Sequence, residues 1–167
     1  MEEKYVESEL LLEKIAELTE RVHELEEELR TMAVPIIPSV VPDTILVPFV
    51  GTLYSERFDR SVSNILSHVH DHNVLYVILD FTALSINDSD DMANLNAAFE
   101  KLTSSIKLMG AHVLIVGLSP QLAMKIVQIG LASIEELNCF SDFKSALTYL
   151  MKKRRLKFTS EHENASI

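Results

Sequence analysis

The sequence predicts an α/β fold, a mostly parallel sheet of four to five strands with about four helices, preceded by an N-terminal coiled-coil helix. Three observations lead there. Apolar residues recur at heptad spacing between residues 8 and 32. Beyond Pro42, short β-branched runs alternate with stretches of helical spacing. Pro35, Pro38 and Pro42 separate the two regimes, because proline removes a backbone donor and clashes with the preceding helical turn.

In the first regime Ser8, Ile15, Val22 and Leu29 fall at heptad position a, and Leu11, Leu18, Leu25 and Met32 at d. Such a period winds two helices around a shared seam, and β-branched residues at a with Leu at d favour a parallel pair. Leu11, Ile15, Leu18, Val22, Leu25 and Leu29 are the expected dimer seam, and Arg21 at g is placed to face Glu26 at e of a partner chain. A lone helix would leave this edge in water. Residues 1–33 are therefore read as a homodimerisation helix and linker.

The second regime begins with Ile36–Val41, a candidate edge strand where proline is tolerated. Thr44–Val50 follows as a β-branched strand closed by Gly51. Ser55 is placed to cap a helix whose apolar face is Phe58, Val62, Ile65, Leu66 and Val69. Val74–Leu79 is the continuous apolar run of a strand covered on both faces. Met92, Leu95, Phe99, Leu102 and Ile106 mark the next helix, ended by Gly110. Val113–Val116 is a further buried strand closed by Gly117. Ser119-Pro120 then opens a helix with Leu122, Ile126 and Val127 inward and Gly130 at its end. Asn138–Phe140 is a last short strand, and Ser141 is placed to cap a final helix carrying Phe143, Leu147, Leu150 and Met151. Strand and helix in alternation imply a parallel sheet. The domain is expected to span 34–157, with 158–167 a disordered polar tail.

Composition narrows the function. The 47% hydrophobic content suffices for a real core, and the charge of −10 is concentrated early: residues 1–32 hold four Lys/Arg against eleven Glu. No basic face is offered to nucleic acid or an anionic membrane, and no apolar run is long enough for a membrane span or signal peptide. Lys152-Lys153-Arg154-Arg155 is read as charge complementing a helix C-terminus. The single Cys139, in an apolar stretch, is expected to be a buried structural thiol in a reducing compartment. The four glycines fall at element ends and form neither a dinucleotide fingerprint nor a P-loop. His68, His70 and His72 with Asp71 lack a further ligand at a recognisable spacing, so no metal and no cofactor are expected. Asp80 ends a strand as a phospho-accepting aspartate would, but the companion acidic pair and lysine are missing. No nucleophile, base and orienting group can be assembled, which speaks against an enzyme.

The informative stretch is Ile86-Asn87-Asp88-Ser89-Asp90-Asp91-Met92, between a buried strand and a helix. Capping alone accounts for the residue types: Ser89 suits an N-cap, and Asp90 and Asp91 suit the positive end of a helix dipole. A capping hydroxyl is also open to a kinase, and a phosphate there meets backbone amides while the carboxylates repel it.

The order of elements resembles the STAS domain (sulphate transporter and anti-sigma-factor antagonist) over roughly residues 34–152. Local strings are similar to RsbR-type stressosome scaffolds and their light-sensing relative: Val34-Pro35-Ile36-Ile37-Pro38, Val47-Pro48-Phe49-Val50-Gly51, Lys107-Leu108-Met109-Gly110-Ala111 and Val116-Gly117-Leu118-Ser119-Pro120. The resemblance implies a non-catalytic cytoplasmic scaffold that assembles with other STAS proteins and holds a serine/threonine switch kinase. It makes Ser89, after Asp88, the matching phosphoacceptor, with Asp88, Asp90 and Asp91 as the kinase-contact loop. Two departures stand out. Val116 occupies the place of a second phospho-accepting Thr, and Asp90-Asp91-Met92 replaces the small, Gly-containing stretch of simple antagonists. The rival readings are an adaptor that is never phosphorylated and a domain that binds a small ligand at the Asp88–Asp91 loop.

Overall fold

The structure is a computed structural model that describes residues 2–52, 55–85, 92–129 and 138–156. The chain divides into two compact units, Met1–Ala33 and Val34–Ile167.

The first unit is one helix, α1 (Glu2–Thr31). Its charged residues pair along its own surface, Lys14 with Glu17 and Arg21 with Glu24, both at 2.8 Å and i,i+3 spacing. Every described side chain from Ser8 to Glu28 is exposed. The helix has no core of its own.

The second unit opens with β1 (Ile37–Pro38), β2 (Thr44–Pro48) and β3 (Gly51–Thr52). Then follow α2 (Ser55–Asp71), β4 (Tyr76–Asp80), β5 (Leu84–Ser85) and α3 (Met92–Leu108). The chain ends in β6 (His112–Val116), α4 (Pro120–Ile129), β7 (Asn138–Phe140) and α5 (Phe143–Lys153). The five-stranded sheet has the order β1-β2-β4-β6-β7. β1 is antiparallel to β2, and every other pairing is parallel, with Thr44 opposite Tyr76, Tyr76 opposite His112 and Leu114 opposite Asn138. A miniature parallel sheet joins Gly51 to Leu84 and Thr52 to Ser85.

The strand order decides where the helices go. Each parallel step moves one strand further in the same direction, and right-handed crossovers then place α2, α3 and α4 on the same face. Strand residues alternate faces. Ile45, Val47, Val77, Leu79, Val113 and Ile115 therefore share a core with Phe58, Ile65, Phe99, Leu102, Ile106 and Leu122. Tyr76, Ile78, Leu114 and Val116 point the other way, onto Ala146 and Leu150 of α5. Burying one such aliphatic side chain contributes about 1.5–3 kcal/mol. The buried polar side chains are satisfied: Thr44 Oγ1 donates to the Pro42 carbonyl, Ser61 Oγ to that of Arg57 and Thr103 Oγ1 to that of Phe99.

Helices α2, α3 and α5 end alike. After α3, Gly110 at φ +83° donates to the Lys107 carbonyl and Ala111 to that of Ile106. After α2, Asn73 at φ +51° and Val74 repeat the pattern onto His70 and Val69. After α5, Arg155 at φ +55° and Leu156 repeat it onto Lys152 and Met151. This left-handed cap satisfies carbonyls that a helix end would otherwise orphan.

Four expectations need correction. The N-cap of α5 is Asp142, not Ser141: its Oδ1 accepts the Ser145 amide at 2.7 Å, while Ser141 Oγ donates to the same carboxylate. Val127 is 74% exposed rather than inward; Leu122 and Ile126 carry the packing of α4. The third core strand starts at Tyr76, not Val74, because the Val74 amide is still donated to the Val69 carbonyl in the cap of α2. Cys139 is exposed on β7, the last strand at its edge of the sheet. Its sulfur is still partly screened from water, and that desolvation pushes the thiol up. Gly130 and the tail 158–167 lie outside the described residues.

Candidate functional site

The loop that carries Ser89 leaves from Ser85 and returns at Met92, at the C-terminal end of the parallel strands. Its base is tightly built. Phe49 donates to the Asp80 carbonyl at 2.8 Å, Gly51 to Ala83 at 2.9 Å, Phe81 to Val116 at 3.0 Å and Leu84 to Phe81 at 3.1 Å. Beneath lies an aromatic cluster: Phe81 stacks on Phe49 at 5.0 Å between ring centroids, Phe49 on Phe58 at 5.5 Å, and Phe99 meets Phe81 tilted at 6.0 Å. A buried, hydrogen-bonded platform thus lies beneath the Ser85 end of the loop.

Gly117 completes this platform. Its φ is +72°, and a Cβ there would fall 2.1 Å from Thr82 Oγ1 and 2.6 Å from the Thr82 amide nitrogen. Thr82 is itself fixed, its amide donating to Asp80 Oδ1 at 2.8 Å. Asp80 is therefore engaged in a local turn rather than offered as a phosphoacceptor. Val116 is fully buried, and its carbonyl accepts Phe81, so this position belongs to the core.

Ser89, Asp88, Asp90 and Asp91 lie outside the described residues, and α3 is described from Met92 onward. The seam is better placed: Leu11, Ile15, Leu18, Val22 and Leu25 are between 43% and 59% exposed, an apolar row in water. The Leu29 side chain is outside the described set. Arg21, expected to reach Glu26 of a partner, is held by Glu24 of its own helix in the single chain.

The histidines form a pair rather than a cage. The rings of His68 and His72 stack at 4.0 Å, with His72 Nδ1 3.2 Å from the His68 carbonyl oxygen. Partial burial, then the neighbouring His72, hold His68 below the ordinary histidine range against the opposing pull of Asp71. Among the described residues no three ligating side chains gather. The basic cluster is more than solubilising charge. Arg154 donates through Nη1 to the Pro42 carbonyl and through Nη2 to Asp43 Oδ2 at 3.0 Å, and Lys153 Nζ lies 5.5 Å over the Tyr76 ring. No sequence signal announces a contact between positions 111 residues apart. The Gly117 requirement is legible in the sequence only as a glycine closing a buried strand.

One property of the sheet bears on chemistry. Ligand crevices of open parallel sheets form where the strand order reverses. Here the order runs β1-β2-β4-β6-β7 without reversal. Among the described strands there is thus no switch-point crevice.

A right-hand-wound sheet of this order, backed by one terminal helix, is the architecture of a STAS domain. The family model for the STAS domain matches residues 31–146, and the chain belongs to that family. It is 31% identical to the RsbT co-antagonist protein RsbRA of Bacillus subtilis over 103 residues, 62% of this chain and 36% of that protein. It is 28% identical to a blue-light photoreceptor of Listeria monocytogenes over 123 residues, 73% of this chain and 46% of that one. The chain thus spans less than half the length of these relatives. A serine-to-glutamate variant of Moorella thermoacetica RsbS shares the fold with a TM-score of 0.63 at 18% identity, covering 75% of this chain and all of that chain. A chain from the molecular architecture of the stressosome does so with a TM-score of 0.56 at 17% identity, covering 73% of this chain and all of that one. Among the described residues no helix is long and apolar enough to cross a membrane.

Proposed function

We propose that this chain is a non-enzymatic regulatory scaffold of a cytoplasmic partner-switching complex. In this reading residues 1–33 pair two chains, residues 34–157 form the STAS domain, and 158–167 are an unstructured tail. The domain assembles with other STAS proteins and binds a serine/threonine switch kinase through the loop of Asp88, Ser89, Asp90 and Asp91. The observation that carries the reading is the likeness of the STAS domain to that of an RsbT co-antagonist. The unreversed strand order supports binding over catalysis, and the exposed row from Leu11 to Leu25 supports pairing.

The switch follows from charge. Phosphorylation of Ser89 adds about −1.5 to −2 charges at the start of α3, beside three carboxylates. A kinase surface that tolerates the carboxylates alone is then repelled, and release follows.

The test is phosphotransfer from the cognate kinase to purified chain, followed by intact mass. One phosphate is expected on the native protein and none on Ser89→Ala. Equal labelling of both removes Ser89 from the switch, and labelling of neither favours the unphosphorylated adaptor.

A further inference from the structure

The C-terminal end of α2 carries two imidazoles that the scaffold reading does not use. Successive helical residues turn by about 100°, so His68 and His72 stand about 40° apart on one face, while His70 points about 160° away from His68. The turn that holds the pair is fixed. The His72 amide donates to the His68 carbonyl at 3.1 Å, and the left-handed cap at Asn73 and Val74 closes behind it. The two rings face one another at 4.0 Å with 18° between their planes. A carbonyl can only accept, so His72 Nδ1, 3.2 Å from the His68 carbonyl oxygen, is the protonated nitrogen. The lone pair of the neutral His72 ring is then on Nε2. A backbone carbonyl that holds one ring nitrogen is the arrangement that orients a metal-ligating histidine.

We propose that His68 and His72 together bind a divalent late first-row metal ion, of the zinc, nickel or copper class, through their Nε2 atoms. Imidazole nitrogen suits these ions, whereas magnesium and calcium ask for oxygen. Two nitrogens at about 2.0–2.1 Å from one tetrahedral ion stand about 3.3 Å apart. The facing rings are separated by little more than that, and a turn of His68 about its broad χ2 sets its Nε2 beside that of His72. Water fills the remaining positions, because among the described residues no third ligating side chain joins the pair. Two local charges favour the ion: the carbonyl end of α2, and Asp71, which is near enough to His68 to act on its charge. His72 is exposed and His68 half-buried, so the ion reaches the site without opening the core. By binding the folded turn better than the open chain, it clasps the end of α2 and stabilises the domain.

Isothermal titration of the full chain with Ni2+ tests this, with Cys139→Ser in every protein so that the exposed thiol does not compete. The tightest step is expected to take one Ni2+ per chain, and Mg2+ to give no binding. His68→Gln and His72→Gln are each expected to weaken that step by about tenfold or more, since even an outer-shell change costs that much. His70→Gln is expected to leave it unchanged. Saturating Ni2+ is expected to raise the melting temperature of the parent by about 5 °C and that of His72→Gln not at all. If circular dichroism shows helix loss in His68→Gln, the exposed His72→Gln decides alone. Absence of Ni2+ binding overturns the site, as does binding that survives His72→Gln. Binding that falls equally with His70→Gln also overturns it, because the ion is then held by scattered surface histidines.

Discussion

The two units use the same aliphatic residues to opposite ends. Within the domain Ile65, Val77, Ile78, Leu102 and Ile106 are fully buried, because a sheet with helices on both faces supplies each with a partner surface. Along α1, Ile15, Leu18 and Val22 remain more than half exposed. An apolar stripe stabilises only what covers it: the domain's core accounts for its own stability, and in the proposed pairing a second chain covers the stripe of α1. Substitutions that separate these two kinds of stability break or sharpen the comparison.

The largest effect is expected in the crossover core. Leu102→Ala, fully buried on α3, should cost roughly 3–4 kcal/mol in urea unfolding of the domain, from lost transfer energy plus a cavity. Gly117→Ala should cost about 2–3 kcal/mol by the same assay. The new methyl collides with Thr82 at a left-handed φ, and neither backbone can yield without breaking the Phe81 to Val116 hydrogen bond. Arg154→Ala should cost roughly 1 kcal/mol, since the ion pair with Asp43 is only half-buried but the bond to the Pro42 carbonyl is lost with it. Asp142→Ala should lower the domain's melting temperature slightly and in a pH-dependent way. The Ser145 amide holds the Asp142 carboxyl below the usual range, so its contribution is fully present above the unfolded carboxylate pKa. That contribution disappears as pH falls through the lowered folded value, where native and variant melting curves should converge. At the bottom of the scale, Leu18→Ala in the stalk should leave the domain's unfolding midpoint unchanged. A shift comparable to that of Leu102→Ala would contradict the division of labour.

Periodicity makes most of the fold legible. Val113–Val116 and the Phe58–Val69 face announce strand and helix because covered strands and amphipathic helices repeat at different intervals. The β3–β5 sheet sends no such signal, since strands two residues long show no period. Ser141 and Asp142 are adjacent capping residue types, and only geometry chooses between them. Val127 sits at helical spacing from Leu122 and Ile126 but just past the edge of the buried arc. Cys139 has apolar neighbours that suggest burial, yet an edge strand exposes residues that a central strand would bury. Asn73 and Arg155 adopt the left-handed cap usually given to glycine, so the ends of α2 and α5 carry no glycine signal. Of the candidate site, the loop sequence and its kinase chemistry come from residue types and family likeness. Its platform of Phe49, Phe81, Thr82 and Gly117 depends on contacts across the sheet that spacing does not encode.

Amide hydrogen exchange on the full chain at a series of protein concentrations tests the division most directly. Protection along residues 8–28 is expected to rise with concentration, while that of β4 and β6 stays constant. Stalk exchange that ignores concentration would contradict the account.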